Sequence, residues 1–153
     1  MSDTSISVSR TINAPVGEVF DYLTLPANHV ELDGSGFVLS VSHGDRIQAV
    51  GDVFTMNMEG DHMGGEYKTD NHVVGYDENK LLAWKTAPAG TEPPGWQWVW
   101  ELKPQDADTT DVTLTYDWSA VTDKALLKKV SFPLVSESEL EDSLGRLAAA
   151  VSS

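Results

Sequence analysis

Apolar residues recur at every second position through most of this chain and at every third or fourth position near its end, which predicts a sheet followed by a helix. Between Thr122 and Ser153, Leu126, Leu127, Val130, Leu140, Leu144, Leu147, Ala148 and Val151 share one helical face, opposite Lys124, Lys128, Lys129, Glu137, Glu141 and Arg146. Pro133 removes a backbone donor and crowds the turn before it, while Ser136 with Glu139 three residues on has the pattern of a capping box. The spacing therefore predicts a helix in two pieces, kinked near Pro133, with the rest of the chain wrapped around it.

Ahead of that helix, Ile6, Val8, Arg10 and Ile12 alternate with Ser5, Ser7, Ser9 and Thr11, a strand whose apolar face is interrupted by Arg10. Ala14-Pro15 opens a short helix, because proline at the first turn gives up a donor that would be unpaired anyway. Val19, Phe20, Leu23 and Leu25 fall at helical spacing, Pro26 ends the run, and residues 27–33 leave room for a further turn or two before the loop Asp33-Gly34-Ser35-Gly36. Six more strands follow near 37–43, 51–59, 65–76, 80–87, 95–104 and 110–119. Gly44-Asp45, Asp77-Glu78-Asn79 and Asp106-Ala107-Asp108 are turns, and the proline-rich stretch 87–95 is a loop.

Alternation within the strands assigns an inner face. Trp96, Trp98, Trp100 and Leu102 share it, as do Leu82 with Trp84, and Val112, Leu114, Tyr116 with Trp118. Phe54, Met56 and Met58 form a softer row, and Tyr67, Thr69, Asn71 and Val73 a more polar one, which implies water or a polar ligand group inside. These rows serve equally as plain core or as the wall of a cavity.

At 153 residues and 41% hydrophobic, the chain has the size and composition of one domain, 1–153, with a real core. Ten basic against 24 acidic residues leave a formal charge of −14, a surface that repels nucleic-acid phosphates and anionic headgroups. Nucleic acid is thus not expected as a partner. Cysteine is absent, which excludes disulfides, thiolate metal sites and a thiol nucleophile, and fits a reducing cytoplasm. No basic-then-apolar leader and no apolar run near 18 residues occurs, so cytoplasmic localisation without stable membrane insertion is expected.

Two clusters carry candidate chemistry. His29 and Asp33 stand four residues apart, a spacing that puts an imidazole and a carboxylate on one helical face, either as a base with its orienting acid or as an exposed ion pair. Glu59, Asp61, His62 and Glu66 offer oxygen and imidazole donors around three glycines, where a solvated loop explains them equally well, and no metal is expected. Gly34-Ser35-Gly36 has neither the spacing of a nucleophile elbow nor the lysine of a phosphate loop.

The pattern R-x-I-x-A-P-x-x-x-V-F from Arg10 to Phe20 and the closing FPLVSESELEDSLGRLAAAV resemble small bacterial members of the helix-grip superfamily of START, Bet v 1 and polyketide-cyclase-like (SRPBCC) domains. The resemblance spans nearly the whole chain. It implies an α+β helix-grip fold: a seven-stranded curved antiparallel sheet wrapped around a long C-terminal helix, with two short helices after strand 1. It also implies an apolar cavity for lipids, polyketides, sterols or other hydrophobic small molecules. A dry cavity near 400 Å³ would cost on the order of 10 kcal/mol at about 24 cal/mol per Å³, so such a space is filled by side chains, water or ligand.

The first expectation is therefore a protein that binds or transports a hydrophobic, aromatic or lipid-like molecule without a cofactor. Its ligand would touch Phe54, Met56, Met58, Tyr67, Thr69, Asn71, Trp84, Trp98, Trp100, Tyr116, Phe132 and Leu140. The alternatives are a cyclase/aromatase- or dehydratase-like enzyme using His29, Asp33 and Tyr67 for metal-free acid–base chemistry, and a protein-interaction module of the chaperone-cofactor kind. Cyclase members of the superfamily carry arginine inside the cavity. Here only Arg10 of Arg10, Arg46 and Arg146 is placed to face inward.

Overall fold

The computed structural model describes residues 5–32, 38–43, 46–60, 65–88, 90, 95–119 and 136–151. Seven strands arise where the period-two pattern predicts them: β1 (Ser5–Ile12), β2 (Val38–His43), β3 (Val53–Gly60), β4 (Gly65–Asp77), β5 (Leu81–Pro88), β6 (Gln97–Pro104) and β7 (Thr110–Asp117). They form one antiparallel sheet in the order β1-β7-β6-β5-β4-β3-β2. The first strand thus closes on the last, with Val8 opposite Leu114 and Ile12 opposite Thr110. Two short helices, α1 (Val16–Leu23) and α2 (Asn28–Leu32), follow β1, and α3 (Glu137–Val151) ends the described chain.

The sheet bends because its ladders are irregular. Register shifts interrupt β2–β3 on either side of Ser40-Val41, and β4–β5 between Val73 and Gly75. At the β4–β5 bulge the strands approach so closely that a Cβ on Gly75 would lie 3.1 Å from that of Ala83, which explains the glycine. The turn at Asp77-Glu78-Asn79 forms as expected: Asn79 takes a left-handed φ of 63° and the Lys80 N–H donates to the Asp77 carbonyl.

Alternation then sorts the side chains. Val8, Ile12, Val73, Leu82, Trp84, Trp100, Leu102, Val112, Leu114 and Tyr116 are buried on the inner face. The opposite face carries hydroxyl pairs such as Ser7 with Thr115 and Ser9 with Thr113. Helix α3 lies across the β1–β7 end of this inner face, touching also α1 and α2, and buries Leu140, Leu144, Leu147 and Ala148. Its start is the expected capping box: the Glu139 N–H donates to Ser136 Oγ, and the Ser136 N–H to Glu139 Oε1. The predicted first half of this helix, including Leu126, Leu127, Val130, Phe132 and the kink at Pro133, lies outside the described residues. Among the described residues no helix is long and apolar enough to cross a membrane.

Candidate functional site

The inner face is graded along the strands. In its middle, Leu82 faces Trp100 and Trp100 faces Leu114, all nearly inaccessible to solvent. One pair further along, Val73, Trp84, Trp98 and Tyr116 form a row across four strands. There Trp98 is only partly buried and stacks on Tyr116, with ring centroids 4.4 Å apart and planes within 14°. Toward the β3–β4 hairpin, Met56 is buried, whereas the facing pair Met58 and Tyr67 is half-buried. Large apolar groups thus stay partly open at one end of a curved, otherwise closed face.

The polar row behaves differently from expectation. Asn71 and Thr69 are buried, and so is Thr86, which the sequence reading missed although it continues the Leu82, Trp84 alternation. Thr86 Oγ1 donates to Asn71 Oδ1 at 2.7 Å, and Asn71 Nδ2 donates to the Phe54 carbonyl at 3.2 Å. A second, longer contact runs from Asn71 Nδ2 to Thr69 Oγ1 at 3.4 Å. The amide and hydroxyl groups satisfy one another, so this row needs no water or ligand to be stable in the interior. Tyr67 stands apart from the triad, at the half-buried end.

Helix α1 explains His29. An α-helix leaves its last four carbonyls without partners, and here each finds one. The Thr24 N–H donates to Phe20 O, Arg46 Nη1 to Asp21 O, Asn28 Nδ2 to Tyr22 O, and His29 Nε2 to Leu23 O at 2.7 Å. A carbonyl can only accept, so Nε2 carries the proton and Nδ1 the lone pair. The imidazole is 6% exposed and packs edge-on to Trp84 at 5.0 Å and to Trp100 at 6.0 Å. Burial drives its pKa down to about 4, only partly opposed by the Leu23 carbonyl.

His29 is therefore a neutral, buried cap of α1, not half of an exposed ion pair, and Asp33 lies outside the described residues. A base so reluctant to hold a proton is poorly matched to acid–base work near neutrality. No arginine enters the interior among the described residues: Arg10 is exposed beside Gly145 of α3, Arg46 clamps α1, and Arg146 pairs with Asp142 at 2.8 Å on the surface.

Of the other predicted contacts, Phe54 packs edge-on to Trp84 at 5.2 Å, and Leu140 joins the same core from α3. Phe132 lies outside the described residues. Glu59 and Glu66 face each other in register and are exposed, Asp61 and His62 lie outside the described residues, and no group of three metal-ligating side chains occurs among the described ones. An open depression of about 390 Å³ lies over the β2–β4 edge, bounded by Leu39, Ser40, Asn57, Met58, Glu66, Tyr67 and Lys68. Its charged rim suits a hydrophobic molecule poorly, but Met58 and Tyr67 also belong to the inner face.

Residues 3–152 match the family of polyketide cyclase / dehydrase and lipid transport proteins. The chain belongs to this family. Solved structures of the same fold include the Zhui aromatase/cyclase from Streptomyces sp. R1128, 15% identical with a TM-score of 0.65 over 96% of this chain and 92% of that one. Protein CV1439 from Chromobacterium violaceum is 15% identical with a TM-score of 0.64 over 98% of each chain. The Aha1 dimer from Colwellia psychrerythraea is 19% identical with a TM-score of 0.61 over 97% and 96%. These likenesses establish the helix-grip fold. In sequence, the uncharacterized protein Rv0088 of Mycobacterium tuberculosis is 31% identical over 115 residues, 75% of this chain and 48% of that protein. The chain spans about half the length of the curated relatives it matches.

Proposed function

We propose that this domain binds a hydrophobic small molecule, aromatic or lipid-like, against the inner face of its sheet between β3 and β7. The observation that carries the reading is the graded burial of that face: Trp98, Met58 and Tyr67 remain partly open where their neighbours Trp84, Trp100 and Met56 are closed. A folded domain has no stability reason to leave indole, thioether and phenol groups open on its concave side, and ligand sites are lined in this way. Membership of a lipid transport and cyclase family agrees with it. The cyclase or dehydratase alternative is weaker, because His29 is spent as a helix cap and no arginine is buried among the described residues.

Titration of intrinsic tryptophan fluorescence with naphthalene-sized aromatics and with long-chain acyl esters tests the proposal, alongside native mass spectrometry of the purified protein for a retained ligand. A saturable response is expected, and Trp98→Phe should weaken it while moving the melting temperature by only a few degrees. If no hydrophobe gives saturation and Trp98→Phe merely destabilises, the inner face is plain core and the carrier reading fails.

A further inference from the structure

Among the described residues, every fully buried hydroxyl, amide or imidazole discussed above has a partner, and one buried indole does not. Trp100 is 3% exposed, sits at the centre of the inner face, and its Nε1–H meets no acceptor among them. Among the described residues one other buried side-chain nitrogen shares this condition, His72 Nε2, but His72 is only partly buried and lies on the opposite face of β4, between the buried positions Asn71 and Val73. The Trp100 N–H gives up its bond to water on folding and receives nothing in return, a situation that native interiors avoid unless something else fills it. His29, the ring packed against it, turns its protonated Nε2 to Leu23 O, and its Nδ1 lone pair does not accept from the Trp100 N–H.

We propose that Trp100 is the polar anchor of the bound molecule: a ligand entering at the partly open Trp98 end, one pair along β6, displaces the packing that seals Trp100, and the Nε1–H donates to a neutral oxygen acceptor, a ketone, ester or hydroxyl, on that otherwise hydrophobic molecule. This rests on the ligand-binding reading above and narrows it. The acceptor is neutral because, among the described residues, no lysine or arginine is buried to balance an anion. Among the described residues Arg10, Arg46 and Arg146 are all exposed, and the imidazole that touches Trp100 is uncharged at neutral pH. A carboxylate or phosphate brought to Trp100 would lose its hydration and gain a single N–H, which does not compensate a buried charge. The site therefore selects oxygenated neutral hydrophobes over fatty acids and phosphorylated lipids.

Three ligands of one shape separate the possibilities: 2-acetylnaphthalene, 2-ethylnaphthalene and 2-naphthoate, titrated at pH 7 by tryptophan fluorescence. The ketone should bind about three- to tenfold more tightly than the hydrocarbon, the ratio a single neutral hydrogen bond provides, although it is the less hydrophobic of the two. The carboxylate should bind most weakly. In ¹H–¹⁵N spectra of the wild-type protein the Trp100 Nε1–H resonance should move downfield with the ketone and not with the hydrocarbon. Trp100→Phe, if it folds, should erase the ketone's advantage. Should ketone and hydrocarbon bind equally with the Trp100 resonance unmoved, the anchor is wrong and ligand binding stands. Tightest binding by naphthoate likewise overturns the anchor, since it requires a buried cation instead. If none of the three saturates, both the anchor and the binding reading fall.

Discussion

Acidification from pH 7 to pH 5 should weaken the fold through His29 alone among the groups whose titration is displaced. Its pKa falls from 6.5 in the unfolded chain to about 4 in the folded one, because burial against Trp84 and Trp100 disfavours the imidazolium. Above pH 6.5 both states hold the neutral ring and stability is at its plateau. Between 6.5 and 4 the unfolded chain takes up a proton that the folded chain refuses, so stability falls with falling pH. Over the two units from pH 7 to pH 5 the loss is roughly 2 kcal/mol, a large share of the 5–15 kcal/mol typical of a domain. Asp106 and Asp111 do not enter this window. Their carboxyls are held below the ordinary 3.8, Asp106 by the Asp108 backbone N–H and Asp111 by the hydroxyl of Thr11, so their contribution is lost only at lower pH. Urea unfolding at pH 7.0, 6.0 and 5.0 measures the slope, and His29→Gln, which keeps an N–H for Leu23 O but does not titrate, should remove most of it. Equal losses in wild type and variant would show that the imidazole is not neutral and buried in solution.

Three further outcomes are expected. Gly145→Ala should stabilise α3 by roughly 0.5–1 kcal/mol, because the added Cβ would meet Arg10 Nη1 at an ordinary 3.5 Å; a lower melting temperature would mean that the helix sits closer to β1 than described. Asn71→Ala should cost about 1–3 kcal/mol by stranding Thr86 Oγ1 and the Phe54 carbonyl in the interior, measured by thermal unfolding against Thr86→Val as the paired control. Leu144→Ala should cost about 2–5 kcal/mol, since that side chain is 1% exposed at the centre of the α3 contact, and a loss below 1 kcal/mol by chemical denaturation would mark α3 as an appendage.

All seven strands were legible in the chain because a half-buried sheet imposes a period of two that turn residues interrupt, and both signals are local. The capping box at Ser136 and Glu139 and the left-handed Asn79 were legible for the same reason, since each depends on a few neighbouring residues. Which side of the sheet closes, and how completely, was not. Trp98 and Trp100 are two residues apart on one face with identical local pattern, yet one is partly open and the other sealed, because burial depends on how far along β6 the covering elements reach. His29 shows the limit most plainly. Four-residue spacing to Asp33 allowed either a base with its orienting acid or an exposed ion pair, whereas the fold turns the imidazole inward onto Leu23 O, a partner decided by where α1 ends. The role of Thr86 also rests on register, for only the pairing of β4 with β5 sets its hydroxyl opposite Asn71. Periodicity in the sequence determined which residues could share a face; the distances at which those faces meet, and so which donors are left without acceptors, were decided by packing between segments far apart in the chain.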